Sequence, residues 1–263
     1  MIAGHDIAAG LSGSLVGFVL GLVGGGGSIL AVPLLVYVVG VASSHVAIGT
    51  SAIAVAFSAL ANLVSHARAG NVRWPCAIVF SISGIAGAFL GSALGKNFDG
   101  KKLLLLFGVL MLVIAVVMLK RKPNRDSDFK PLCRETSRDL LPRLIGMGVA
   151  VGALSGFFGI GGGFLIVPGL IASARMPMIM AVGSSLVAVT AFGLTTAASY
   201  AWSGLIDWRV AMIFIGGGLF GGVAGTAACG LLNEKKALLT RIFAGFVICV
   251  GLYVIVRGVT DLL

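Results

Sequence analysis

Long apolar stretches alternate with short polar ones along the whole chain. In the first half the apolar blocks run over Ile7–Gly40, Val46–Ser65, Trp74–Gly95 and Leu103–Leu119. In the second half they run over Leu144–Ala174, Ala181–Ala201, Val210–Leu232 and Leu238–Val256. Pro75–Gly95 is 21 residues without a charge, and Leu103–Leu119 is 17. A helix that crosses a bilayer needs roughly 17–25 such residues. The pattern predicts an all-α, polytopic membrane protein.

The first block of each half is unlike the others. Ile7–Gly40 has 34 residues, about 51 Å as one straight helix. That is longer than a hydrocarbon core of about 30 Å and shorter than two full crossings. Near its middle stand Gly24, Gly25, Gly26 and Gly27, then Ser28 and Pro33. Glycine weakens a helix interior and proline removes a backbone donor. The block is expected to break there, with Pro33 as part of the break. In the second half Gly159, Gly161, Gly162 and Gly163 with Pro168 repeat the arrangement.

The likeness of the two halves is extensive. Gly21–Leu35 matches Gly156–Leu170 at 8 of 15 positions. With an offset of 134, Ala47-Ile48-Gly49-Thr50-Ser51 falls on Ala181-Val182-Gly183-Ser184-Ser185. Gly70 and Trp74 then fall on Gly204 and Trp208, and Gly84, Gly87 and Gly91 on Gly218, Gly221 and Gly225. The expected organisation is a first transmembrane repeat over residues 1–119, a basic cytoplasmic linker over 120–143 and a second repeat over 144–263. If the glycine block crosses once, each half has four crossings and the repeats are parallel. If it folds back, each half crosses an odd number of times and the repeats are inverted.

Charge favours the second arrangement. Only 11% of residues are charged, mean hydropathy is +1.09 and net charge is +10. Basic residues lie between apolar blocks, and the linker carries eight Lys/Arg against four Asp/Glu. Cytoplasmic loops are rich in Lys and Arg. With the linker inside, inverted repeats put 14 of the 19 basic residues inside, and parallel repeats put 12 there. A multi-pass protein of the cytoplasmic (inner) membrane is expected, in contact with lipid. No basic stripe interleaved with aromatics exists, which argues against nucleic-acid binding. Cys76, Cys133, Cys229 and Cys249 form no metal-ligand spacing, so neither metal nor cofactor is expected.

Two duplicated elements carry the candidate chemistry. The glycine clusters free backbone N–H groups beside the start of a following half-helix, where the dipole favours an anion. Unwound backbone is tolerated in a bilayer only where it is buried in protein or lines a cavity. Tight helix packing is the competing role for these glycines. Gly49-Thr50-Ser51 and Gly183-Ser184-Ser185 put hydroxyls near a helix start, either for an oxyanion or for bonds to their own backbone. Ser43 and Ser44 are candidate caps of the helix that follows. Asn62 and His66, four residues apart on one face, match Thr196 and Tyr200 and form a candidate pathway. Arg68 and Arg73 beyond His66 favour an interfacial place for it. All nine acidic residues lie at termini, in connections or in the linker. Cation pumps and proton relays bury such groups, so the expected substrate is anionic or neutral.

The paired glycine-plus-proline elements, the Gly-[Thr/Ser]-Ser triplets and the Gly70…Trp74 and Gly204…Trp208 turns resemble the TauE/SafE family of sulfite exporters, grouped also as 4-toluenesulfonate uptake permeases. The resemblance covers essentially the whole chain. It implies secondary transport of a small sulfur-containing anion, such as sulfite or an organosulfonate, by alternating access around a site between repeats. It does not fix oligomeric state, direction or coupling ion. Two other classes compete: a membrane-embedded hydrolase built on Gly10-Leu11-Ser12-Gly13, and a non-transporting membrane partner subunit. Ser12 has no matching serine in the second half and no histidine at a pairing distance in sequence.

Overall fold

The computed structural model describes residues 2–120, 137–159, 163–231 and 236–260. They form ten α-helices and one 3₁₀ segment: α1 (Ile2–Val23), the 3₁₀ segment Gly24–Leu30, α2 (Ala31–Tyr37), α3 (Ser44–Arg68), α4 (Trp74–Lys96) and α5 (Gly100–Lys120). The second half has α6 (Ser137–Phe158), α7 (Gly163–Ala174), α8 (Met178–Trp202), α9 (Trp208–Leu231) and α10 (Lys236–Thr260). Seven of the described helices are long and apolar enough to cross a membrane. Most of the linker, Cys133, Lys235, Gly161 and Gly162 lie outside the described residues.

Local chemistry sets the helix starts. Asp99 Oδ1 accepts the Lys101 and Lys102 amides at 2.9 and 3.1 Å at the head of α5. Asp207 Oδ1 accepts the Val210 amide at 3.1 Å at the head of α9. Ser43 caps α3, its Oγ facing the Val46 amide at 3.5 Å, as expected from sequence. Pro75 stands in the first turn of α4, where no intrahelical N–H bond is lost.

Glycine stripes decide which helices pair. On α1, a Cβ at Gly13, Gly17 or Gly21 would collide with backbone of α9 at Phe214, Gly218 or Gly222. In return, Gly217, Gly221 and Gly225 of α9 press on Gly10, Ser14 and Phe18 of α1. The contact between α4 and α6 repeats this, with Gly87, Gly91 and Gly95 set against Val149, Ala153 and Phe157. In a bilayer, where lipid is as apolar as leucine, such close backbone approach drives association. Helices α3 and α8 cross in the centre, α5 pairs with α10, and Phe80 stacks on Phe192 in the core at 6.2 Å. Ile82, Phe89, Met212, Phe220 and Val223 remain exposed on the outside, an apolar surface suited to lipid.

The glycine block folds back on itself. His5 Nδ1, near the start of α1, lies 2.6 Å from the Val39 carbonyl, just after α2. His66, near the end of α3, reaches the Gly21 carbonyl near the end of α1 at 3.3 Å. Left-handed backbone occurs at Gly24, Gly40, Gly70, Gly159, Arg175 and Gly204. These six residues fall into three pairs at the sequence offsets that relate the two halves.

Candidate functional site

The first break is wound rather than open. Gly24 turns the chain with φ +72°, and the seven residues Gly24–Leu30 continue as 3₁₀ helix, all of them buried. Runs of 3₁₀ beyond three or four residues are uncommon and often mark a hinge. Sequence reasoning expected unwound backbone here. The 3₁₀ turn replaces it because its i→i+3 bonds satisfy donors that a bilayer interior leaves without partners. Ser28 Oγ adds a bond to the Gly25 carbonyl at 2.9 Å.

The second break begins at Gly159, with φ +66°, and α7 starts at Gly163. Neither proline is itself the break. Pro33 is in the first turn of α2, and Pro168 lies inside α7, where the helix continues to Ala174. A first-turn proline loses no intrahelical bond, whereas Pro168 leaves the Phe164 carbonyl without its usual partner. The interruptions fall at the glycines upstream.

The two breaks meet in the interior. Gly25 and Gly163 face each other so closely that a Cβ on either would strike the other's backbone. A Cβ at Gly24 would lie 2.7 Å from Val182 Cγ1, and one at Gly27 would lie 2.5 Å from the Leu20 nitrogen. The Gly25 amide donates to Ser185 Oγ of α8 at 3.3 Å. A Cβ at Gly159 would collide with Ile48 of α3. Both breaks and the central helices α3 and α8 thus form one cluster.

The hydroxyls of the repeated triplets are engaged. Ser51 and Ser185 donate to the Ile48 and Val182 carbonyls of their own helices at 2.9 and 2.7 Å. Thr50 Oγ1 accepts the Asp207 amide at 3.0 Å, and Ser184 Oγ accepts the Arg73 amide at 2.9 Å. Gly49 and Gly183 lie against the Leu205 and Asn71 carbonyls. Each triplet therefore grips a connection belonging to the other half of the chain.

His66, two residues before the end of α3, is covered by protein. It is 2% exposed, with Nδ1 unpartnered and Nε2 near the Gly21 carbonyl. The end of α1 closes over it. Asn62, 3% exposed, donates to the Ser58 carbonyl at 3.0 Å and accepts from Thr226 of α9 at 3.0 Å. Thr196 and Tyr200 are fully buried with unpartnered hydroxyls. The Tyr200 ring lies 6.5 Å from that of His45, with Lys96 Nζ 6.0 Å from its centroid. Ser58 and Thr226 were missed from sequence, although Ser58, Asn62 and His66 share one face at intervals of four.

The interior is polar without charge. Among the described residues the buried polar side chains are serine, threonine, asparagine, histidine and the tyrosine Tyr200, and no Asp, Glu, Lys or Arg is buried. No group of three or more His, Cys, Asp or Glu that could hold a metal exists among them. Such a site offers neutral donors, which suit an anion better than a cation. A separate cavity of about 490 Å³ lies at the end of the molecule, lined by His5, Asp6, Asp207 and Arg209 among others. Arg209 and Asp6 are paired there at 2.7 Å.

Known proteins are similar to this sequence. A chain of Xylella fastidiosa (strain Temecula1) described as a probable membrane transporter protein is 51% identical over 247 residues, 94% of each chain. A probable membrane transporter protein of Bacillus subtilis is 28% identical over 264 residues, covering 94% of this chain and 96% of the relative. One of Methanocaldococcus jannaschii is 33% identical over 181 residues, 65% of this chain and 64% of its own. No solved structure matches. The family described as sulfite exporter TauE/SafE matches residues 9–254, nearly the full length of these packed helices, and the chain belongs to that family.

Proposed function

We propose that this protein is a secondary transporter that moves a small, sulfur-containing anion across the inner membrane by alternating access around a site between two inverted repeats. The observation that carries this reading is the meeting of the two breaks, Gly25 against Gly163, in a buried region free of carboxylates among the described residues. Its substrate contacts are Gly24–Ser28, Gly159–Gly163 and the nearby hydroxyls Ser51 and Ser185. The start of α7 at Gly163 contributes the positive end of a helix dipole. Family membership and the relatives' names favour transport over hydrolysis.

The repeats are residues 1–119 and 144–263, with 120–143 as the cytoplasmic linker. Several contacts support opposite orientation. The α1–α9 contact has its counterpart in α6–α4, and each left-handed residue of one half has a partner in the other. In the first half the chain passes back and forth five times: α1, the 3₁₀ segment with α2, then α3, α4 and α5. An odd number of passages puts the start of the second half on the opposite side from that of the first.

Transport in proteoliposomes tests the reading. Sulfite or sulfoacetate should equilibrate across the membrane saturably with this protein present, and Gly27→Val should reduce the rate at least tenfold. Absence of flux for every oxyanion tried would overturn it.

A further inference from the structure

One hydrogen-bonded contact occurs twice, at opposite ends of α3. Near its start, Thr50 Oγ1 accepts the Asp207 amide from the connection between α8 and α9. Beyond its far end, the Arg73 amide from the connection between α3 and α4 donates to Ser184 Oγ of α8. Thr50 stands 18 residues before Arg68 at the end of α3, about 27 Å along the helix, so the two contacts lie toward opposite faces of a hydrocarbon core of about 30 Å. Thr50 and Ser184 hold the same place in the repeated triplet. Asp207 and Arg73 each precede the tryptophan that opens the next helix.

The glycine before each hydroxyl completes the contact. A Cβ at Gly49 would strike the Leu205 carbonyl and lie 2.9 Å from Tyr200 Cβ, and one at Gly183 would strike the Asn71 carbonyl. Each closure is thus bare backbone laid on a helix with its amide bonded to a hydroxyl, and a cation braces each: Lys96 Nζ donates to Ser203 Oγ at 3.1 Å at one, and Arg73 Nε lies 3.1 Å from Met180 Sδ at the other. Such a seal rests on a few hydrogen bonds of modest net strength, so it can open and reclose. It is also tied to the breaks: Ser185, the residue after Ser184, accepts the Gly25 amide.

We propose that Gly49-Thr50 and Gly183-Ser184 are the two gates of the transporter, latching the 203–207 and 69–73 connections, and that Thr50 and Ser184 do not bind substrate. This rests on the transport reading above. Both gates are closed in this structure, and alternating access opens one at a time. The sequence signature Gly-[Thr/Ser]-Ser then divides its labour: glycine for approach, the first hydroxyl for the latch, the second for the break.

A Ser28→Cys reporter, with the four native cysteines replaced by serine, tests the gates in sealed vesicles of each orientation. A membrane-impermeant thiol reagent is applied from outside. Thr50→Val should raise the labelling rate at least fivefold only from the face bearing Asp207. Ser184→Ala should raise it only from the face bearing Asn71. Thr50→Ser and Ser184→Thr, which keep the acceptor, should stay within twofold of the parent. Unchanged labelling in both deletion variants, or an increase from the same face in both, would overturn the proposal. Should those variants fail to fold, cysteine pairs at 50 with 207 and at 184 with 73, joined by a short thiol crosslinker, should each abolish transport, with recovery on cleavage. Transport that survives both crosslinks would equally overturn it. If side-specific labelling occurs but the unmodified protein binds no sulfite, the gates stand and the anion reading falls. If sulfite binds and labelling ignores side, the gates fall alone.

Discussion

At the residue scale, the contact of Gly25 with Gly163 is a tight constraint, for neither residue has room for a methyl group. Overpacking a filled core costs about 1–3 kcal/mol, so Gly163→Ala should lower the melting temperature in detergent. Gly146→Ala, at a position with nothing within 4 Å, should leave it unchanged. Arg175 offers the opposite case. It is an exposed non-glycine residue at φ +49°, where its counterpart in the first half is Gly40. Relieving a left-handed conformation should stabilise the protein by about 1 kcal/mol in Arg175→Gly, read as a rise in melting temperature. Asp99 carries a pH signature. The Lys102 amide first, then the Lys101 amide and the two lysine charges, hold its carboxyl below the usual range. A lowered carboxylate contributes stability above its unfolded-state pKa and loses it as pH falls through the folded-state value. Protection of the Lys101 and Lys102 amides from exchange, relative to the intrinsic rate at each pH, should therefore fall only on the acid side of the ordinary carboxylate range, and Asp99→Ala should remove that dependence.

At the element scale, the glycine stripes of α1 with α9 and α4 with α6 replace the large apolar side chains that join helices in water. Gly221→Leu should separate α1 from α9 and abolish the folded peak in size-exclusion chromatography, while Gly216→Ala, facing open space, should not. The apolar blocks made the helices legible, because length and hydropathy suffice to specify a bilayer span. The breaks were legible too, since Gly24 and Gly159 supply the left-handed turns that a continuous helix cannot contain. The first break's 3₁₀ winding was not, because glycine spacing does not distinguish open backbone from a tighter helix. Nor were the duties of Thr50 and Ser184. Their partners lie 157 and 111 residues away, and a hydroxyl near a helix start carries no mark of which backbone amide it will meet. The cover over His66 was not legible for a related reason: it comes from Gly21, 45 residues earlier.

At the scale of the whole molecule, the proposal that the two halves run in opposite senses rests on their matched contacts. Single cysteines at Lys101 and Lys235, tested with an impermeant reagent, should label from opposite sides of the membrane; labelling from one side would require parallel halves. The central claim is narrower, that paired breaks between these halves hold a small anion on neutral donors. Equilibrium binding of labelled sulfite to the purified protein tests it most directly. The account predicts saturable binding at one site per chain, displaced by sulfoacetate but not by choline, and lost in Gly27→Val with helix content unchanged. Absence of saturable binding, or binding that survives the widening of both Gly27 and Gly163 to valine, would contradict it.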